Sequence, residues 1–284
     1  MLMVKIAVLI TVFNRREVTL KGLRSLYTAI SSLGDGYNFD IYLTDDGCTD
    51  GTAEIVAKEY PNVKIVKGNG SLFWGGGMNL AWQSAIESHV NYDYFLWYND
   101  DSDIFPDALF TMLKTVSEKT VVTGAFKGTD GNVSYGGKTK NDQLITPNDN
   151  PQEVVKMNGN LVLIPYAVFQ AVGIIDKHYL HGGGDFDYGY RVKEKGFQVL
   201  LTPKFVGISD RHDEFIPKYC NKDLSLSKRW TILHNPINSP FIHFRYNQKR
   251  GGIFKALLYF FISYFGVLFP KFYIWNKKHL KNRI

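Results

Sequence analysis

Asn99-Asp100-Asp101 sets an amide and two carboxylates side by side, directly after the apolar run Tyr94-Phe95-Leu96-Trp97-Tyr98. Paired carboxylates at a strand end suit a hard cation that keeps part of its water shell and binds phosphate oxygens. A solvated turn or a helix cap uses the same residues, so the cluster needs support from elsewhere in the chain. Asp45-Asp46-Gly47, with Asp50 and Thr52 behind it, is a second acidic strand end. A carboxylate there can accept the imide N–H of a uracil or thymine ring, while Asp50 or Thr52 caps the helix that follows. Gly68-Asn69-Gly70 and Gly75-Gly76-Gly77 flank Leu72-Phe73-Trp74. Glycines let a backbone approach a ligand closely, and the second set opens a helix whose N-terminus favours phosphate; a flexible loop is the competing use. His181-Gly182-Gly183-Gly184-Asp185-Phe186-Asp187 leads into a helix carrying Arg191. A carboxylate on that Gly-rich turn fits a general base for a hydroxyl group, although an N-capping Asp187 explains the turn equally well. His181 and His212 are either metal ligands or structural histidines.

These clusters need elements to bring them together. Lys5 to Ile10 is a short run rich in β-branched residues and predicts a buried parallel strand. Val18, Leu20, Leu23, Leu26 and Ile30 then recur at helical spacing. The unit repeats: a strand over 39–44, a helix over 52–60, a strand over 63–66, a helix over 78–88 and a strand over 94–98. Alternation of this kind predicts a mostly parallel sheet with right-handed crossovers, flanked by helices. Ligands in such α/β sheets sit beyond the carboxyl ends of the strands. The clusters at 11–15, 45–46 and 99–101 each follow a strand and should meet in one crevice. After Pro106, short apolar runs broken by Gly-rich turns predict a mixed-sheet region. No G-x-G-x-x-G follows the first strand, which disfavours a dinucleotide site.

Thr11-Val12-Phe13-Asn14-Arg15, then Asp45-Asp46-Gly47 with Asp50, then Asn99-Asp100-Asp101, then Gly184-Asp185 is an order that resembles glycosyltransferase family 2. The resemblance covers roughly Lys5 to Pro203 and implies the Rossmann-like, A-type nucleotide-sugar fold. Leu96 to Leu109 and the run Gly184 to Arg191 are most similar to rhamnosyltransferase-like members of bacterial surface-polysaccharide pathways. The resemblance implies an inverting transferase using a UDP- or dTDP-sugar and a saccharide or lipid-linked acceptor. Thr11, Val12, Phe13, Asn14 and Arg15 would line the donor, and Asp45 or Asp46 would read its base. Asn69, Gly70, Gly75, Gly76, Asn79 and Asp100 complete the donor candidates. Asp101 matches the last Asp of the family's D-x-D and would hold Mn²⁺ or Mg²⁺, with Asn99 and His212 as further candidate ligands. Asn99 stands where the first Asp is usual. Asp185 matches the catalytic base, and Gly184 replaces the Glu before it, leaving Asp187 to orient the acceptor. Trp74, His181, Gly183 and Arg191 are the other acceptor candidates. The rival readings are a sugar nucleotidyltransferase, which usually carries a G-x-G-x-R loop that Thr11 to Arg16 lacks, and a non-catalytic carbohydrate-binding protein of the same fold.

Charge divides the chain in two. No acid follows Asp223, and residues 224–284 hold eleven Lys and Arg, whereas the body through Asp223 has 22 basic against 27 acidic residues. We therefore expect a catalytic domain over 1–223 and a helical, aromatic-rich basic tail over 224–284. A basic stripe wrapped around Phe, Tyr, Leu and Ile favours anionic lipid over nucleic acid. Within it Ala256 to Phe269 carries no charge; a helix of that length spans only ~21 Å against a hydrocarbon core of ~30 Å. An interfacial helix on the inner membrane face fits, and the competing use of that apolar face is a core or homodimer contact. Leu226-Ser227-Lys228-Arg229-Trp230 is similar to the Q-x-x-R-W of processive synthases, with Leu226 in place of Gln. The N-terminus leads straight into an apolar strand without a secretory pattern, and Cys48 and Cys220 have no metal or redox spacing. Both features suit a cytoplasmic catalytic domain.

Overall fold

A computed structural model describes residues 3–211 and 216–281. The chain divides after Arg211 into two compact units. That division falls before the charge boundary at Asp223, because it follows the end of the sheet rather than composition.

The first unit runs β1 (Val4–Val12), α1 (Arg16–Ser31), β2 (Tyr37–Asp45), α2 (Thr52–Glu59), β3 (Lys64–Lys67), α3 (Phe73–Glu87) and β4 (Tyr94–Tyr98). It continues with β5 (Asp103–Ile104), α4 (Ala108–Thr115), β6 (Thr120–Lys127), β7 (Val133–Tyr135), β8 (Gly137–Lys138), β9 (Gln152–Glu153) and β10 (Lys156–Met157). β11 (Leu161–Pro165), α5 (Tyr166–Val172), α6 (Gly184–Glu194) and β12 (Gln198–Ile208) complete it. The main sheet has the order β3-β2-β1-β4-β11-β6-β12-β5. β1 to β4 are mutually parallel, as expected, and β11 enters antiparallel between β4 and β6. This is the mixed α/β sheet flanked by helices that the alternating pattern predicts.

β1 shows why the sheet is covered on both faces. Ile6, Val8 and Ile10 join one core with Leu23 and Leu26 of α1, Val56 of α2 and Met112 of α4. Ala7 and Leu9 join the other with Met78 and Trp82 of α3, Val168 of α5 and Tyr188 of α6. Each such buried side chain contributes roughly 1.5–3 kcal/mol before chain entropy is charged against it.

Chain order leaves β1 through α1 and β2 on one side and reaches β4 on the other, so the switch in strand order lies between β1 and β4. In α/β sheets such a switch point is where ligands bind, beyond the strand ends. Thr11 to Arg15 and Asn99 to Asp101 leave those two strands, and Asp45 ends β2 in register with Val12. The three clusters meet at one edge of the sheet.

The second unit holds α7 (Leu226–Leu233), α8 (Pro240–Leu268) and α9 (Pro270–Lys281). Ser225 caps α7 by accepting from the Lys228 amide. Gly252, at φ 84° and ψ 170°, breaks the helical course of α8, so the apolar stretch begins after a kink.

Candidate active site

β4 is fixed at its carboxyl end by α1. A Cβ on Gly22 would lie 2.2 Å from the Asp100 carbonyl oxygen, so only glycine permits this approach. The Tyr98 hydroxyl lies 2.6 Å from the Ser102 carbonyl and 2.8 Å from the Gly22 carbonyl. The turn carrying Asn99-Asp100-Asp101 is thereby held against one helix face.

Asp100 is buried, and points back under α1. It accepts from the Thr19 hydroxyl at 2.7 Å and from Arg15 Nη1 at 3.0 Å. Burial pushes its pKa up to about 6, against the opposing pull of Arg15 and Thr19. Asp101 is more open, its side chain 27% exposed, and pairs with the same Arg15 nitrogen at 3.1 Å. Burial works against the Arg15 charge, but Asp100 and Asp101 outweigh it and hold the guanidinium charged. His181 sits within the field of Arg15, and burial, reinforced by that charge, lowers its pKa. The oxygens of Asn99 and Asp101 fit a hard divalent cation, and the acidic turn already draws in a positive charge, that of Arg15.

Asn99 is tied in twice. Its amide N–H donates to the Asn160 carbonyl at 2.9 Å, and its Oδ1 accepts from Trp74 Nε1 at 2.7 Å. The Trp74 ring lies over Gly159, where a Cβ would come within 2.5 Å of it. The Gly159 amide in turn donates to Asp185 Oδ2 at 3.1 Å. Trp74 therefore links the acidic turn after β4 to the carboxyl group that opens α6. Asp185 also accepts from the Phe186 amide at 2.8 Å. Burial pushes its pKa up to about 6, despite those two amides and the Lys138 charge. A carboxylate with that pKa is ionised at neutral pH and basic enough to take a hydroxyl proton.

Several of the expected ligand residues already have polar partners within the protein. Asp46 accepts from the Gly70, Leu72 and Phe73 amides at 2.9, 2.9 and 3.0 Å, which commits its carboxylate to the loop rather than to a base. Asp45 accepts from Lys67 Nζ at 2.6 Å and the Cys48 amide at 2.7 Å; these outweigh burial and lower its pKa. α3 begins at Phe73, so Gly75, Gly76 and Gly77 lie inside it rather than before it. A Cβ on Gly75 would meet the Tyr179 carbonyl oxygen at 2.0 Å, and one on Gly77 would meet Thr11 Oγ1 at 2.0 Å. Gly76 is less crowded, since a Cβ there would meet Leu72 Cβ at 3.1 Å. These glycines allow close packing within the protein. At the start of α3 the Phe73 amide donates to Asp46 and the Gly75 amide to the Leu180 carbonyl.

Asn79 is buried and exchanges two hydrogen bonds with the Ile175 backbone, at 2.9 and 3.1 Å. These bonds brace the chain at Ile175 against α3. Asp187 is fully buried in an ion pair with Arg191 at 2.9 Å, and Arg191 donates to the Val172 and Ile174 carbonyls. That pair closes the C-terminal end of α5. Asp50 accepts from the Arg16 amide and from Thr52, capping α1 and α2 together.

The other candidates are placed by their own contacts. Phe13 is an exposed ring at the end of β1. Val12 is buried, its carbonyl accepting from the Asp46 amide. Asn14 has a left-handed backbone, φ 49°, and accepts from the Thr49 amide at 2.7 Å, clasping the two loops. Asn69 accepts from the Ser71 amide at 2.9 Å within its own turn, and Gly183 is the left-handed N-cap of α6 at φ 84°. His212 lies outside the described residues. Thr19, Gly159 and Asn160 escaped the sequence reading. Thr19 was a polar residue in an apolar helical stripe, and Asn158-Gly159-Asn160 stood directly before an apolar run; both were signals of polar positions held for a reason.

Residues 7–177 match the sequence profile of the family described as Glycosyl transferase family 2. A search of curated protein sequences returns no match. Among solved structures the chain is similar to a mannosyltransferase, PcManGT from Pyrobaculum calidifontis, in complex with GDP-Man and Mn²⁺, at 14% identity and a TM-score of 0.55, over 92% of this chain and 74% of that one. It is also similar to residues 1–349 of TarS from S. aureus in complex with UDP-GlcNAc, at 15% identity and a TM-score of 0.54, over 93% and 79% of the two chains. At such identities the likeness is one of fold.

Proposed function

The chain belongs to glycosyl transferase family 2, and from that premise we propose an inverting, divalent-metal-dependent transferase. It would move a sugar from a UDP- or dTDP-sugar to a saccharide or lipid-linked acceptor, at the inner face of the cell membrane in cell-surface polysaccharide synthesis. Rhamnose is the favoured sugar, on the similarity of residues 96–109 and 184–191 to rhamnosyltransferase-like members; another hexose is the alternative. The carrying observation is the chain of contacts Asn99–Trp74–Gly159–Asp185, which ties a raised-pKa carboxyl to the turn holding Asp101.

Asp185 takes the proton from the acceptor hydroxyl as that oxygen bonds to the anomeric carbon. The bond from that carbon to the phosphate oxygen breaks, and its electron pair leaves with the nucleoside diphosphate. Attack opposite the leaving group inverts the centre. Asp101 and the Asn99 oxygen would hold the Mn²⁺ or Mg²⁺, which when bound neutralises charge on the departing diphosphate. Among the described residues no three His, Cys, Asp or Glu side chains gather at one point; donor phosphates and water would complete the shell. The Phe13 ring and Arg15 border the donor, and Trp74 and His181 border the acceptor side.

Transfer assays with UDP- and dTDP-sugars, with and without Mn²⁺, test this reading. Asp185→Asn should lower turnover by ~10²–10⁴-fold, the usual contribution of a general base, while the donor Kd stays within about twofold. Near-normal turnover by that variant removes Asp185 from the role.

A further inference from the structure

The apolar surface of the second unit faces outward. Phe254, Leu258, Phe261 and Phe265 follow one another at helical spacing along α8, all exposed, with Phe254 at 87% and Phe261 at 63%. Phe272 and Trp275 of α9 carry the exposed apolar surface onward, Trp275 at 55%. The opposite side of the hairpin is occupied: Gly266 packs on Cys220, Arg229 donates to the Leu224 and Val267 carbonyls, and His234 bonds the Tyr264 hydroxyl. Arg229 of the R-W motif thus clasps this unit internally, while the stripe stays largely exposed, its Phe265 meeting Phe269 and Phe272 at ring-centroid distances of 5.1 and 5.7 Å.

By length and composition α8 could cross a membrane. The Gly252 break decides against it, because only Ile253 to Leu268 runs straight beyond the kink. Sixteen residues reach ~24 Å, short of a hydrocarbon core of ~30 Å. Pro270 then starts α9 at once, and Lys271 and Lys277 return a positive charge beside the apolar end. Lys255 stands at its beginning, its Nζ over the Tyr259 ring. No acid occurs anywhere after Asp223. An outward aromatic stripe ringed only by cations complements an anionic lipid surface, whereas a protein partner would need acidic residues to match.

We propose that α8 beyond Gly252, together with α9, forms a monotopic anchor that enters one leaflet of an anionic bilayer without crossing it. Binding is read with no sugar donor or acceptor present, so its outcome is separate from that of the transfer assay. The intact chain should co-sediment with vesicles of phosphatidylcholine mixed equally with phosphatidylglycerol, and not with phosphatidylcholine alone. Phe254→Glu with Phe261→Glu should weaken binding more than tenfold. Lys255→Glu with Lys271→Glu, which leaves the apolar stripe whole, should remove the preference for the anionic vesicles. In sealed anionic vesicles Lys277→Cys, on the side of α9 turned away from Phe272 and Trp275 by helical spacing, should react with an impermeant maleimide added outside, above the wild-type background. Protection of that cysteine would show a crossing helix and overturn the proposal. So would equal binding to both vesicles, or binding to neither with a dimer that Phe254→Glu and Phe261→Glu dissociate.

Discussion

Arg15 joins two carboxylates through one nitrogen: its Nη1 lies 3.0 Å from Asp100 Oδ1 and 3.1 Å from Asp101 Oδ2. The two contacts differ in kind. Asp100 is buried and bonded to Thr19, so its share fixes α1 against the turn. Asp101 is partly exposed, and its share is the one an incoming cation would contest.

A divalent ion at Asp101 must therefore compete with a resident guanidinium. Arg15→Gln should bind Mn²⁺ more tightly in the absence of nucleotide, on the order of tenfold, which corresponds to ~1.4 kcal/mol of relieved competition. The same substitution should cost stability, about 1–3 kcal/mol, because the buried Asp100 loses a charged partner. Electron paramagnetic resonance of free Mn²⁺ reads the affinity directly, and unchanged affinity would show that Arg15 does not contest the ion.

Asp185 couples activity and stability in opposite directions. Its folded pKa is raised to about 6, above the ordinary carboxylate value of about 3.9. The folded state then binds the proton more tightly than the unfolded chain, so this group's penalty is absent at low pH and grows as pH rises from about 4 to 6. Asp185→Asn, slowed ~10²–10⁴-fold in turnover, should be more stable than the parent at pH 7, by at most ~3 kcal/mol. The gain should shrink to a few tenths of a kcal/mol at about pH 4 and vanish below about pH 3, where the parent carboxyl is protonated in both states. Thermal melts of the two proteins between pH 4 and 7 check the sign, and kcat/KM of the parent should fall tenfold per pH unit below about 6.

The convergence of the clusters was legible because it depends only on strand polarity. Parallel strands end on one side, so Arg15, Asp45 and Asp101 had to meet whatever their partners. The roles inside each cluster were not legible, because they depend on which backbone amides come within reach. Asp46 faces three amides from a loop 24 to 27 residues away. Asn79 finds Ile175 across 96 residues. Asp187 reads from sequence as an acceptor-facing acid, but α6 turns it into the core against Arg191. The glycines of α3 show the same limit. Their spacing signalled close approach, and the structure shows that the approaching atoms are Tyr179 and Thr11 of the protein itself.

Trp74 offers a way to separate positioning from packing. Its indole N–H orients the Asn99 oxygen, while its ring fills the space over Gly159 and meets Trp97 edge-on at 5.7 Å. Trp74→Phe keeps most of the ring and removes only the donor. A lost neutral hydrogen bond costs about 1 kcal/mol of stability, so the fold should survive. Asn99, released from the indole, would lose the bond that fixes its oxygen as a proposed metal ligand. We expect the variant to need several-fold more Mn²⁺ for half-maximal transfer, with the pH dependence set by Asp185 unchanged. Trp74→Ala should in addition open the space between the acidic turn and Gly159, at about 3–5 kcal/mol for a deleted aromatic side chain, and lower kcat as well. If Trp74→Phe matched the parent at every Mn²⁺ concentration, the Asn99 contact would be structural alone.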